Sequence, residues 1–196
     1  MDILIAMAKK DLIITLPNRH LHQKSKKVGP ITDELRQVIA NMKAATLDWE
    51  ANRPHEVGVA LAAIQIDQPY KIIAIRNDFD NKQDKTFSVF INPQIVKKEG
   101  EVQADYEGCL SVKDIYGKVP RHSKIRLKAL NENGQPVRVR AEGFLARVIQ
   151  HEVDHIGGLV FTDHIKDQPE AFFKLGADGK LSSLPYEQVQ KSGIFR

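Results

Sequence analysis

Residues 150–158 read QHEVDHIGG and place two histidines four positions apart, with a glutamate directly after the first. On an α-helix, residues four apart lie on one face with their Cβ atoms about 6 Å apart, so His151 and His155 can share one cation. Glu152 lies about a quarter-turn round the helix, where it reaches a water on that cation without being a ligand. This is the HExxH arrangement, in which the glutamate serves as general base.

The residues that lead into the first histidine have helical spacing. Their apolar members are Phe144, Leu145, Val148 and Ile149. Gly157 and Gly158 follow the second histidine and are suitable C-terminal stops. The stretch therefore predicts a helix over residues 144–155 that carries both histidines and the glutamate.

Two histidines leave a tetrahedral cation one protein ligand short of the usual catalytic set of three. Downstream, the extended zincin pattern HExxHxxGxxH fails, because its last position holds Phe161 and His164 comes three residues too late. Glu170 is the other downstream candidate, in a segment broken by proline and glycine. Upstream, Cys109 in EGCLSV remains, since a predicted hairpin between it and the helix can bring them together, and a thiolate binds borderline-soft ions strongly.

A second helix is predicted nearer the N-terminus. Thr32 can cap it, and the acidic residues that follow suit its first turn. Apolar residues then recur with helical spacing until Pro54, and that stripe is read as core. Its members are Leu35, Val38, Ile39, Met42, Ala45 and Trp49.

Strands are predicted in the middle of the chain, over residues 70–77, 87–96, 124–131 and 136–142. The last two alternate in hydropathy on either side of NENG, which is typical of a hairpin with one face in water. Strands in the middle with helices on either side predict an α+β fold. We expect a single domain with antiparallel β-sheets around a metal-binding HExxH helix.

Residues 1–165 are interpreted as the catalytic domain and residues 166–196 as a C-terminal tail. The tail contains three glycines and two prolines, so it cannot carry a long helix. We expect turns there, with room for a short terminal strand.

The composition is that of an ordinary soluble globular protein, with 196 residues, 42% hydrophobic and 28% charged. The formal net charge of +4 is mild and spread along the chain, so nucleic-acid binding is not implied. No apolar run approaches the length of a membrane span. The N-terminal MDILIAM has an acidic residue where a secretion signal needs a positive one, and the lone Cys109 suits a reducing cytoplasm.

Three ordered motifs resemble those of the peptide deformylase family, enzymes that remove the N-formyl group from the N-terminal methionine of newly synthesised polypeptides. They are GVALAAIQ (58–65), EGCLS (107–111) and QHEVDH (150–155), and the resemblance runs from about Leu12 to about His164. It implies a cytoplasmic hydrolase acting in protein biosynthesis on N-formyl-methionyl nascent peptides. It also implies a transient ribosome contact, which some members make through a long C-terminal helix that this tail does not resemble.

The resemblance implies a metal site and a role for each residue around it. It implies metal ligation by Cys109, His151 and His155, with Glu152 as acid and base. Fe²⁺ would be the native ion, Ni²⁺ or Co²⁺ could replace it, and Zn²⁺ would usually be less active. Gln65 and the backbone amide of Leu110 would bind the developing oxyanion.

The same resemblance implies how the substrate is held. Backbone groups around Gly58, Val59, Ala60 and Gly108 would bind the peptide as an added strand. Arg121 would pair with Glu107 and support the metal site.

Two positions depart from, or add to, the family pattern. The second glycine of the G-x-G-L-A-A motif is Ala60, whose methyl group we expect to crowd the bound peptide, so that Ala60→Gly would raise catalytic efficiency modestly. Arg147 is expected to give the first side-chain pocket a polar rim.

The residues are also compatible with two other functions. One is a small HExxH peptidase, which needs a third ligand downstream of the helix. The other is a binding protein that keeps the fold and has lost catalysis, for which Ala60 is the only hint.

Overall fold

The structure is a computed structural model that describes residues 9–53 and 55–195. The segment MDILIAM, where the sequence argues against a secretion signal, lies outside these residues. Among the described residues, no helix combines the length and the apolar character that crossing a membrane requires.

The first helix, α1 (Asp33–Ala51), begins where the sequence predicts. The Thr32 side chain accepts a hydrogen bond of 3.3 Å from the Leu35 backbone N–H, and two acidic residues occupy the first turn. The predicted apolar stripe is turned inward at Leu35, Ile39, Met42 and Ala45. The helix ends at Ala51, ahead of the proline that was expected to stop it.

Seven strands form one antiparallel sheet within the described residues. Their spatial order is β1-β2-β3-β4-β6-β7, and β5 pairs with another part of β4. The predicted α+β fold is confirmed. The strands are β1 (Ala60–Ala62), β2 (Ile72–Arg76), β3 (Phe87–Cys109), β4 (Val112–Leu130), β5 (Pro136–Glu142), β6 (Phe172–Leu175) and β7 (Leu181–Ser183).

The middle strands are much longer than the sequence predicts. β3 continues past residue 96 to Cys109, and β4 starts at Val112, so the two make one long hairpin whose tip carries Cys109. Four register shifts interrupt this ladder, and an extra residue at a bulge breaks the alternation that marks a strand. The hairpin predicted at NENG is present, with Lys124 opposite Glu142 and Leu130 opposite Pro136.

Three further α-helices are present in the described fold. α2 (Gly143–Gly157) is the predicted helix of the two histidines, and it packs its apolar face on β1, β2, β4 and β5. The helix is capped by Gly158, whose φ of 82° is left-handed. A Cβ there would lie 2.5 Å from the His22 carbonyl oxygen, so glycine is required. The last two helices are α3 (Phe161–Ile165) and α4 (Tyr186–Lys191).

The tail contains two short strands and the six-residue helix α4, and no long helix is found among its described residues. β6 extends the sheet by pairing with β4, with Phe172 opposite Gly117. Phe172, Leu184 and Val189 are buried in the same core cluster as Val119 of β4. The tail therefore packs as part of the main core.

Candidate active site

One buried group of potential metal ligands is found among the described residues, and it consists of Cys109, His151 and His155. α2 supplies both histidines from one face, and the tip of the β3–β4 hairpin supplies the cysteine. The Cys109 Sγ lies 3.3 Å from the His155 Nε2, which lies 3.2 Å from the His151 Nε2. Residues more than forty positions apart thus present one sulfur and two nitrogens to a common point.

These three donors fit a divalent transition-metal ion. Tetrahedral bonds of about 2.0–2.3 Å to nitrogen and sulfur separate neighbouring ligand atoms by about 3.3–3.6 Å, and the observed separations of 3.2 and 3.3 Å are close to that. Burial, followed by the neighbouring His151, lowers the pKa of His155. This keeps its imidazole in the neutral form that a ligand needs.

Glu107 orients the first histidine. Its Oε2 lies 2.9 Å from the His151 Nδ1, which leaves the Nε2 of that ring facing the other two donors. The Arg121 guanidinium donates two hydrogen bonds of 2.9 and 3.1 Å to the same carboxylate. Burial opposes ionisation of Glu107, but the hydrogen bonds from His151 and Arg121 outweigh it and lower the pKa of the carboxyl group.

Arg147 also belongs to this network, which corrects the expectation of a polar rim. Its guanidinium is buried and donates a 2.8 Å hydrogen bond to the Glu107 Oε1 and further bonds to the carbonyls of Gln103 and Val119. Arg147 lines the pocket, but its guanidinium is hydrogen-bonded to the Glu107 carboxylate that orients His151. Arg147 lies one helical turn before His151, a spacing that could have indicated a supporting role.

Glu152 is buried beside the ligand cluster and lines the adjoining pocket. Its Oε2 has no hydrogen-bond partner among the described residues. Burial raises the pKa of Glu152 to about 7; the nearby His151 opposes this increase, and Glu107 and Asp154 add to it. A carboxyl group with that pKa can both accept and release a proton near neutral pH.

Gln65 lies in a 3-10 helix directly after β1, and its side chain is held at both ends. The Oε1 accepts a 2.8 Å hydrogen bond from the Ala62 N–H, which turns the Nε2 towards the cluster. That nitrogen lies 3.1 Å from the Ser111 Oγ and 3.4 Å from the Cys109 Sγ. Leu110, in the turn at the hairpin tip, lines the pocket beside it.

β1 is an edge strand whose free side faces the pocket. The Val59 carbonyl accepts from the Arg76 N–H at 2.9 Å, so Val59 bonds inward to β2. Because inward- and outward-bonding residues alternate in an antiparallel pair, the N–H and carbonyl of Ala60 point to the free edge. Across the pocket, Gly108 lies in a bulge and has no partner in the β3–β4 ladder.

Gly58 is predicted to bind substrate, but the structure places it against α1 and not among the pocket-lining residues. A Cβ at this position would lie 2.7 Å from the Thr46 carbonyl oxygen. Its N–H donates a 3.0 Å hydrogen bond to the Glu50 carboxylate. Gly58 thus allows α1 and the start of β1 to approach closely, and it positions the edge strand indirectly.

The methyl group of Ala60 does not point at the free edge of β1, contrary to expectation. It is buried in the core cluster between the sheet and α2, which includes Ile149. A side chain in a strand stands perpendicular to the sheet, whereas the strand's hydrogen-bonding groups lie in its plane. The methyl group therefore packs with the core and leaves the edge free.

We accordingly expect Ala60→Gly to lower the free energy of unfolding by about 1–2 kcal/mol, from the lost methyl burial and the added backbone freedom. It should not raise kcat/KM. The exposed Ala104 of β3 is a matched control, because Ala104→Gly adds the same backbone freedom without removing a buried methyl group. Chemical denaturation and steady-state kinetics of both variants test this. An increase in kcat/KM for Ala60→Gly alone would restore the crowding hypothesis.

The pocket above the cluster has a mainly apolar wall and an aromatic mouth that sequence reasoning missed. Trp49, Val57, Phe144 and Val148 form the apolar part. The Tyr116 hydroxyl donates a 2.7 Å hydrogen bond to Glu56 at the mouth. Phe144 and Val148 share α2, but Trp49 comes from α1 and Tyr116 from β4, so no local sequence pattern links the pocket wall as a whole.

Tyr106 forms another part of the mouth and is supported by the tail. Its ring meets Phe173 of β6 edge to face, with centroids 4.9 Å apart, and the Lys118 ammonium lies over both rings. The tail thus supports one wall of the pocket.

Comparison with known proteins gives consistent similarities. The family model described as polypeptide deformylase matches residues 10–171. The chain is 40% identical over 147 residues to peptide deformylase 2 of Clostridium acetobutylicum, covering 75% of this chain and 89% of that protein. It is 36% identical over 191 residues to a peptide deformylase of Rhodopseudomonas palustris, covering 96% and 98%. A crystal structure of a Synechococcus elongatus peptide deformylase in complex with actinonin matches with a TM-score of 0.69 and 36% identity, covering 78% of this chain and 76% of that chain.

Proposed function

We propose that this chain, which belongs to the polypeptide deformylase family, removes the N-formyl group from the N-terminal methionine of newly synthesised polypeptides. The observation that carries the proposal is the convergence of Cys109, His151 and His155 beside the buried Glu152 at the base of one pocket. That arrangement supports metal-dependent hydrolysis of a small acyl group at the end of a peptide.

The family is metal-dependent, and the two histidines and the cysteine are the residues that would hold the ion here. When bound, a divalent cation supplies Lewis acidity and lowers the pKa of a coordinated water to about 7. Fe²⁺ is proposed as the native ion from the family resemblance, with Ni²⁺ or Co²⁺ able to replace it. The sulfur donor supports a borderline-soft ion over Mg²⁺ or Ca²⁺.

Glu152 is the proposed carrier of the proton. It takes a proton from the attacking water as the water oxygen bonds to the formyl carbon. It then passes that proton to the peptide nitrogen as the carbon–nitrogen bond breaks, which releases formate and a free amine. Its burial and its unpartnered Oε2 support this role, because the carboxylate is close to the site and is not held by another residue.

Two donors are proposed for the negative charge that develops on the formyl oxygen. The Gln65 Nε2 is fixed beside the Cys109 sulfur by the bond that its own Oε1 accepts from Ala62. Leu110, whose backbone N–H is the second donor, lies in the turn at the hairpin tip and lines the same pocket. A donor of this kind typically contributes about 3–4 kcal/mol to the transition state.

The peptide is proposed to bind as an added strand along β1. The outward N–H and carbonyl of Ala60 can pair with it, with Val59 beside them and Gly108 on the far side. The apolar wall of Val57, Phe144 and Val148 suits an uncharged side chain such as methionine.

The two rival functions are less well supported. A zincin-like peptidase needs a downstream ligand, but the His164 Nε2 lies 2.7 Å from the Asp154 carboxylate and His164 is not in the ligand cluster. A binding protein without catalysis would have no need of a buried carboxylate beside the metal-ligand cluster, which costs stability.

The proposal predicts release of formate from N-formyl-methionyl peptides by the metal-loaded protein. Internal peptide bonds should not be cleaved, because a peptide bound along β1 is proposed to place its N-terminal formyl group beside the metal-ligand cluster. A coupled formate assay and mass spectrometry of an unformylated peptide measure the two activities side by side. Endopeptidase cleavage without formate release would favour the peptidase function, and neither activity would favour the binding protein.

The cellular location of the reaction is proposed from the nature of the substrate. Nascent formylated chains place the protein in the cytoplasm, with a transient contact at the ribosome. The tail differs from the long helix that some members use for that contact, since α4 has six residues.

A further inference from the structure

One surface of the sheet is strongly basic. It lies where β3, β4 and β5 run side by side, and it is called the basic face below. Its six basic residues come from three strands. They are Lys97, Lys124, Arg126, Lys128, Arg138 and Arg140.

The strand register puts these residues on one side. Arg126 lies opposite Arg140, and Lys128 lies opposite Arg138. Lys97 of β3 lies opposite Arg126 from the other direction. Directly opposed residues of an antiparallel pair point to the same face, and their Cβ atoms are about 4.5–5.5 Å apart.

Few acidic groups balance this charge. Glu99 pairs with Lys97 and Arg126, and Glu142 pairs with Lys124. Lys128, Arg138 and Arg140 make no ion pair with any described residue, and all three are exposed. Six basic and two acidic groups leave four positive charges on this face, which equals the formal net charge of +4 for the whole chain. The excess that looks spread out in the sequence is therefore gathered on one surface.

The folding of the sheet does not account for these charges. Like charges placed directly opposite each other across two strands destabilise the pair. Charged side chains often protect an exposed sheet edge from aggregation, which would explain Arg138 and Arg140 on β5. That reason does not apply to Arg126 and Lys128, because this part of β4 lies between β3 and β5.

We propose that the basic face binds the phosphate backbone of RNA. Rows of lysine and arginine at strand spacing present repeated cationic groups to a polyanion, and arginine forms paired hydrogen bonds with phosphate oxygens. The assignment to RNA rests on the proposed function, because chains that still carry the formyl group are attached to the ribosome, an RNA-rich particle. Backbone contacts of this kind position a protein without reading a base sequence.

An anionic membrane fits the face less well. Stable surface binding to a membrane is usually strengthened by large apolar side chains that enter the bilayer beside the cations. The exposed apolar residues that border the face among the described residues are two valines, Val96 and Val102, which are 45% and 57% exposed. The exposed Phe144 and Leu145 belong to α2, on the other side of the sheet.

RNA bound here would leave the catalytic pocket open. The inward-facing Ile125 and Leu127 of β4 pack with Val148 and Ile149 of α2, so the basic face and the metal-ligand helix lie on opposite sides of the sheet. A nascent chain could then reach the pocket while the opposite surface contacts RNA.

The test is binding of a fluorescently labelled RNA hairpin, followed by anisotropy over a series of salt concentrations. The variant Lys128→Gln/Arg138→Gln/Arg140→Gln should bind about 10–100-fold more weakly at low salt. A plot of the logarithm of its affinity against the logarithm of the salt concentration should have a shallower slope, which corresponds to about two to three fewer released counterions. The matched control is Lys24→Gln/Lys85→Gln/Lys191→Gln, which removes three exposed charges elsewhere and should bind as the unmodified protein does.

Equal loss in both triple variants, or no loss in the first, would overturn the assignment of the RNA site to this face. Absence of binding to the hairpin by the unmodified protein, together with binding to phosphatidylserine vesicles, would assign the face to membranes instead. Formate release from a short free peptide should be unchanged in both variants. Since RNA binding is measured without turnover, a failure of the proposed deformylase activity is seen separately.

Discussion

Replacing Glu152 by alanine is expected to lower kcat by about 10²–10⁴-fold while the protein still binds one metal ion. The reason is that Glu152 is buried beside the ligand cluster, yet the cluster itself consists of Cys109, His151 and His155. Removing the carboxylate takes away the group that moves the proton and leaves all three donors in place. Steady-state kinetics and metal analysis of the dialysed variant measure the two effects independently.

Glu152→Gln is the matched control that separates loss of the carboxylate from loss of side-chain volume. It keeps the volume of the side chain and cannot take up the proton, so its kcat should fall by a similar factor. The melting temperature of Glu152→Gln should not fall, because the variant replaces a buried carboxyl group whose Oε2 has no partner among the described residues. Metal loss that parallels the loss of activity in both variants would mean that Glu152 is itself a ligand or holds the ligands together.

Replacing Cys109 by alanine is expected to weaken metal binding by more than about 100-fold, since changes to groups that only support a ligand already cost about 10–100-fold. Two histidines alone leave the ion under-coordinated, and the Cys109 sulfur lies 3.3 Å from the His155 Nε2. Activity should be lost together with the metal. The measurement is metal stoichiometry after dialysis, with a competing chelator to obtain the affinity.

Ser111→Ala is a useful control for the Cys109 variant. Ser111 is also buried at the hairpin tip and lies 3.1 Å from the Gln65 Nε2, but it is not in the ligand cluster. It should keep its metal while the Cys109 variant loses it. Near-full occupancy in Cys109→Ala would place the third ligand elsewhere and remove the basis for the proposed site.

Local features of the fold could be predicted because their physical cause is local. The cap at Thr32, the apolar stripe of α1 and the glycine stop after α2 all depend on residues within a few positions of one another. The pair of histidines on one face of α2 follows from helical periodicity alone. The three motifs were sufficient to identify the family, which the comparisons confirm.

Interactions between distant segments could not be predicted with the same certainty. β3 and β4 extend through register shifts that hide their alternation, so their true lengths appear only when the strands are paired. Arg147 was expected at the rim of the pocket, but the carbonyls of β3 and β4 and the Glu107 carboxylate draw its guanidinium into the core. The packing of the tail on β4 likewise depends on contacts with residues far away in the chain.

The amino-acid sequence by itself determined the two long helices α1 and α2, the HExxH motif and the candidate metal-binding residues, because periodicity and residue chemistry are properties of short segments. Only the tertiary structure decided which way Ala60 points and how six basic residues meet on one face. Those outcomes depend on strand register and on the face that each strand buries. A shift of one residue in a register would move every side chain of that strand to the opposite face, and no short segment of sequence specifies that choice.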